Sequence, residues 1–156
     1  MTFDSLHADT DCDCLGGTFE DTDKLFARKI SKPNLRIADF SSHWERGKRP
    51  SEDSCIEICK YKGISVNYWN ALTKQQVIDK YVNSLRLIDL DNKIIKDSIL
   101  IFRFKSKMGY LKCSPSKLDP SHCTFYKSDT FDIQEIEIIE TIELKDYVKT
   151  KISHSK

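Results

Sequence analysis

The chain has 156 residues, 39% of them hydrophobic and 31% charged, and a formal net charge of +1. That balance suits one domain with a modest core and excludes the strongly basic character of a dedicated nucleic-acid binder. No apolar run is long enough to span a bilayer, so no membrane association is expected.

The charge is unevenly spread. Residues 1–27 carry seven acids (Asp4, Asp9, Asp11, Asp13, Glu20, Asp21, Asp23) against Lys24 alone, whereas residues 28–62 carry nine Lys or Arg against five acids. The asymmetry lets the acidic segment lie against the basic one, or lets either meet a partner. Residues 1–23 have no hydrophobic period and are rich in Asp, Thr and Gly, which predicts a mobile acidic arm. A single domain over 24–146 and a polar tail over 147–156 follow. The opening MTFDSLHADTDCDC lacks the basic and then apolar regions of a secretory signal. A cytoplasmic, soluble protein with six reduced cysteines is therefore the expectation.

In chain order, DTDKLFARKI reads as a short amphipathic piece with Leu25, Phe26 and Ile30 on one face, closed by Pro33. LRIADF reads as a short strand or extended entry, with Leu35 and Ile37 alternating. Residues 41–50 are polar and irregular. Ser54 and Glu57 then form a capping box that starts a helix over 55–62, with Gly63 as its left-handed end. Cys55, Ile58, Cys59 and Lys62 trace one stripe of that helix, Lys62 at the solvent end. Cys55 and Cys59 are badly placed to pair with each other. Thr73 and Gln76 frame a second helix over 74–85, where Val77, Ile78, Tyr81, Val82 and Leu85 recur at helical spacing.

Beyond it the period becomes two. LRLID and KIIK around Asp91-Asn92 suggest a hairpin. SILIFRFK, YLKCS and HCTFYK are strand-like. Ile133–Leu144 alternates with glutamates and then switches face, which a β-bulge near Ile138 and Ile139 reconciles. The pattern predicts an α+β fold, a mainly antiparallel sheet from the C-terminal half covered by two helices of the N-terminal half.

Several constellations carry possible chemistry. Cys55, Cys59, Cys113 and Cys123, with His43 and His122, supply thiolate and imidazole for a zinc-binding module. The nine residues between Cys113 and Cys123 do not fit a zinc knuckle, however. Asp9, Asp11, Asp13 and Glu20 occupy the first, third, fifth and twelfth positions of a calcium loop. Cys14 stands where that loop needs its glycine, and Gly16 where it needs an aliphatic residue. No cofactor is expected, with zinc and calcium as the alternatives weighed. Cys123 follows His122, but neighbours on a strand point to opposite faces, so the two do not make a thiolate–imidazole pair.

Two histidines and an arginine are the ingredients of metal-independent phosphodiester cleavage. In that rival reading, His43 and His122 serve as base and acid and Arg46 as the phosphate clamp. The preferred reading is a binding protein with a surface on Trp44, Arg46, Lys48 and Arg49 and the 114–122 loop. Its partner is another protein, with nucleic acid as the alternative. Both readings need the histidine segment and the 114–122 loop to lie close together.

Overall fold

The computed structural model describes residues 1–32, 34–85 and 95–148. Its elements are α1 (Asp4–His7), β1 (Phe26–Ile30), α2 (Cys55–Lys62), β2 (Ile64–Tyr68), α3 (Lys74–Asn83), β3 (Ser98–Phe104), β4 (Gly109–Cys113), β5 (His122–Lys127) and β6 (Ile136–Glu143). Single 3-10 turns form at Ile37–Phe40 and Ile133–Glu135. The strands make one six-stranded sheet in the order β4-β5-β2-β1-β3-β6, with every pairing antiparallel. The chain is thus an α+β protein. Among the described residues no helix is long and apolar enough to cross a membrane.

β3 shows why the sheet is organised as it is. Ile99, Leu100, Ile101 and Phe102 are all fully buried in a continuous apolar run, as a strand covered on both faces requires. Leu100, Phe102 and Phe104 point to one face, and Ile99 and Ile101 to the other. On the second face α3 lays Val77, Ile78, Tyr81 and Val82 across Ala27, Ile99, Ile101 and Ile142. α2 packs Ile58 against Tyr126 of β5, whose hydroxyl donates to the Cys59 carbonyl. On the first face the sheet curls. Phe104 of β3 stacks on Phe125 of β5 with ring centroids 4.5 Å apart, although β1 and β2 lie between those strands. A flat sheet would separate them by about 14 Å. Phe26, Phe40, Phe102 and Leu111 complete that concave core.

Several expectations change. FARKI is a strand, because in five residues Phe26, Ala27 and Ile30 satisfy either period and pairing with β3 decides. β1 meets β2 through only two residue pairs, and Arg28 then fills the gap by donating to the Ser65 carbonyl at 2.6 Å. LRIADF turns as a 3-10 helix because the Asp39 carboxylate accepts from the Arg36 amide, leaving Ile37 exposed and Phe40 buried. Gly63 is not left-handed, its φ being −91°. Glycine is needed there because a Cβ would overlap Thr124 and press on the Tyr126 ring where α2 runs into the sheet. Ser54 does cap α2, accepting from the Glu57 amide at 3.3 Å. The start of α3 is instead organised by Asn70, whose Oδ1 accepts from the Leu72 and Thr73 amides. The bulge in β6 is present. Glu140 faces Ile101 and Ile138 faces Phe102, so Ile139 is the extra residue. The hairpin expected across LRLID and KIIK falls on residues outside the described ones, apart from its ends.

The cysteines are the main correction. They are not reduced: all six pair, as Cys12–Cys55, Cys14–Cys59 and Cys113–Cys123. Cys55 and Cys59 bond not to each other but to the C-x-C of the acidic segment. Two residues of extended chain advance about 6.7 Å and four residues of helix about 6 Å, so the two spacings match rung for rung. Cys113 and Cys123 sit directly opposite on β4 and β5 and close the 114–122 loop. The zinc alternative therefore loses its thiolates. Among the described residues no group of three His, Cys, Asp or Glu side chains is placed to hold a metal, and this includes Asp9, Asp11, Asp13 and Glu20.

Candidate binding site at the arm–turn junction

The segment SHWERGK folds on itself. The Ser42 hydroxyl accepts from the Glu45 amide and the Glu45 carboxylate accepts from the Ser42 amide, at 3.1 and 3.0 Å. The Arg46, Gly47 and Lys48 amides donate back to the carbonyls of Ser42, Trp44 and His43. Gly47, with φ +81°, closes the turn in a conformation only glycine adopts without strain. The Trp44 amide donates to the Tyr61 carbonyl and so fixes the turn to α2.

Trp44 is the centre of the junction. Its indole N–H donates to Asp9 at 2.7 Å. The Arg49 guanidinium lies 3.6 Å from the ring centroid and the Lys62 ammonium 5.0 Å from it. Arg49 also donates to the carbonyls of Trp44 and Lys48, so its stacking geometry is fixed. The indole hydrogen bond holds the Asp9 carboxyl below its ordinary range; burial opposes this and Lys62 reinforces it.

Lys62 is buried, not at the solvent end of its helix. Its three protons go to the Leu6 carbonyl, Asp9 and the Thr10 hydroxyl at 2.7, 3.2 and 2.6 Å. A second anchor is Asp129, which accepts from the Thr2 hydroxyl and the Asp4 and Ser5 amides at 2.7–2.9 Å. Further along, Phe3 and Phe19 both stack on Tyr110, and the Glu20 amide donates to Leu111 on the edge of β4.

The Ser5 and Asp4 amides and the Thr2 hydroxyl hold the Asp129 carboxyl down to about 2. A depressed carboxylate contributes fully above its unfolded pKa and loses its effect as pH falls through the folded one. Protection at the Asp4 and Ser5 amides should therefore begin to fall below the ordinary carboxyl value of 3.8 and be lost near pH 2. Hydrogen-exchange NMR, referenced to Ile101 in the core, checks this. Protection that outlasts the titration, or is unchanged in Asp129→Asn, would count against the anchor.

Between α1, the turn and the end of β5 lies a cavity of about 310 Å³. Its apolar wall is Leu6, Ile37, Trp44 and Phe131, and Ser5, Ser42, Ser128 and the Glu45–Lys127 ion pair at 2.8 Å supply polar groups. Most of the acids and bases around it neutralise one another: Lys62 and Arg49 share Asp9, and Lys127 holds Glu45.

The two histidines are placed apart in partnership. His43 accepts at Nδ1 from Arg46 at 3.1 Å and lies beside Tyr61. Burial lowers its pKa, and Arg46, Lys48 and Arg28 lower it further. His122 instead meets Ser114 at Nδ1 and Ser65 at Nε2, at 2.9 and 3.3 Å. Its pKa is lowered by burial and by Lys80, with Asp119 opposing. His43 and Arg46 are together, but neither histidine is a hydrogen-bond or ring partner of the other among the described residues. Beside His122, the fully buried Asn67 binds Asp119 and Ser121 through its nitrogen and Lys80 and Tyr81 through its oxygen.

Of the residues expected at the site, Trp44 and Arg49 line or frame the junction, while Arg46 and Lys48 project from the turn. Asp9, Lys62, Lys127, Asp129 and Phe131 were not expected. Ser42 and Glu45 carry a legible signal in their S-x-x-E spacing, but the others are brought in by contacts distant in sequence. No protein-family model, curated protein or solved structure matches the chain.

Proposed function

We propose that this chain is a binding protein of an oxidising compartment that takes an apolar side chain of a partner protein into the arm–turn cavity. The observation that supports this most is the cavity itself, about 310 Å³ and walled by Trp44, Leu6, Phe131 and an Ile37 that is 72% exposed. An apolar recess with a few fixed polar groups is the usual form of a recognition site, and a rigidly held tryptophan is a usual anchor. Three disulfides support the compartment, since such bonds persist outside reducing cytoplasm. This replaces the cytoplasmic expectation.

Panning a phage-displayed peptide library against the oxidised protein tests the reading. The selected peptides share an aromatic or large aliphatic residue, and Ile37→Asp weakens them at least about tenfold, near 1.4 kcal/mol, with the melting temperature unchanged. Selected peptides indifferent to both Ile37→Asp and Trp44→Ala would place binding elsewhere.

A further inference from the structure

The turn has a second side, and its electrostatics differ from those of the cavity. Arg46 and Lys48 have no carboxylate within ion-pair distance among the described residues, although Arg49, Lys62 and Lys127 around them each have one. Arg46 spends one N–H on His43 Nδ1. That bond leaves the other imidazole nitrogen, Nε2, as the protonated one and a donor. Arg28 stands near enough to both Arg46 and His43 to oppose their charge. Its Nε and one terminal nitrogen donate to the Asp39 and Ser65 carbonyls, but its other terminal nitrogen has no protein acceptor among the described residues.

The result is a gathering of donors, from β1 and from both ends of one tight turn, in which the acid acting on Arg28 is Asp39, itself engaged by Arg36. Like charges so placed repel, and their cost is relieved by an anion that bonds several at once. Guanidinium groups match tetrahedral oxyanions best because their planar forks bind two oxygens.

We propose that Arg46, Lys48, His43 and Arg28 form a binding site for a sulfate or phosphate group, free or carried on an ester. The site is separate from the cavity: Ser42, Trp44 and Glu45 line the cavity, whereas His43, Arg46 and Lys48 do not.

Isothermal titration with inorganic phosphate and with a heparin-derived sulfated tetrasaccharide tests it, alongside amide and arginine Nε shifts in a labelled sample. Binding shifts the 42–48 amides and the Arg28 Nε, and Arg46→Ala/Lys48→Ala weakens it at least tenfold. Tighter binding of the tetrasaccharide assigns the group to a sulfated glycan, and tighter binding of phosphate to a free phosphate. Ile37→Asp leaves anion binding unchanged, so failure of the cavity reading and failure of this one are separable. Two results would overturn the site. One is absence of binding by both probes; the other is an equal loss in Lys117→Ala, a lysine exposed on another loop, which would reduce the effect to diffuse charge.

Discussion

Removing both disulfides of the N-terminal segment costs about 6 kcal/mol, whereas removing either alone costs about 2 kcal/mol. The reason is topological. Cys12–Cys55 and Cys14–Cys59 span 43 and 45 residues. Closing a loop of that length restricts the unfolded chain by about 4 kcal/mol. Once one bond has closed it, the other closes only the small ring made of residues 12–14 and 55–59, worth about 2 kcal/mol. Either bond alone therefore retains the large term, and only the quadruple variant loses it. Denaturant unfolding of C12A/C55A, C14A/C59A and the four-fold variant measures the difference. Equal, additive losses would mean that the two bonds do not act as one staple. In the four-fold variant residues 1–23 keep only non-covalent ties, such as those to Trp44, Lys62, Tyr110, Leu111 and Asp129, so limited proteolysis cuts there before it cuts the sheet.

The second large effect is expected at Asn67. Its side chain is fully buried and all four of its hydrogen-bonding positions are filled, by Asp119, Ser121, Lys80 and Tyr81 at 2.7–3.1 Å. Asn67→Ala leaves the buried Tyr81 and Ser121 hydroxyls without this partner and separates the Lys80–Asp119 pair from its support. At about 1–3 kcal/mol for each unsatisfied buried group, the loss is about 3–5 kcal/mol. Tyr81→Phe removes one member and costs about 1–2 kcal/mol. Burial already pushes the Tyr81 phenol far above its ordinary pKa, so it stays a donor throughout the neutral range. An Asn67→Ala protein within about 1 kcal/mol of the parent in urea unfolding would show that the network carries little. Asp119 and Ser121 belong to the 114–122 region, so the same substitution loosens that loop, which then holds to α3 through the Lys80–Asp119 pair and to β2 through the bond from the Tyr68 amide to the Ser121 carbonyl.

The network also bears on how the two suspected loops relate. Ser41–Pro50 and the 114–122 loop were expected to form one region, and each is well anchored. The first is tied to α2 through Trp44 and Tyr61, and the second to β2 and α3 through Asn67. Binding through Trp44 and anion capture through Arg46 both belong to the first loop and do not require the second.

Local patterns in the sequence were informative where one segment suffices to decide its own conformation. The Ser54–Glu57 box marked the start of α2, the spacing of Val77, Ile78, Tyr81 and Val82 marked α3, and the shift of face in IEIIETIE placed a bulge near Ile138 and Ile139. They failed where two periods fit equally, as in FARKI, and where a side chain's partner lies far along the chain. Lys62 illustrates the second case. A lysine at the end of an amphipathic helix belongs in water unless acceptors cover it, and its acceptors are Leu6, Asp9 and Thr10.

The amino-acid sequence by itself determined the α+β class, the start of α2, the body of α3 and the strand character of β3 to β6, because capping residues and hydrophobic period act within a few residues. Only the tertiary structure decided the redox state of the cysteines, the position of the acidic segment and the cavity beside Trp44. Apart from Cys113–Cys123, ten residues apart across one loop, those depend on groups more than forty residues apart in the chain, such as Cys12 and Cys55 or Lys62 and Leu6. Such meetings are set by how the curled sheet brings β5, α2 and the first residues to one place, and no local pattern encodes that distance.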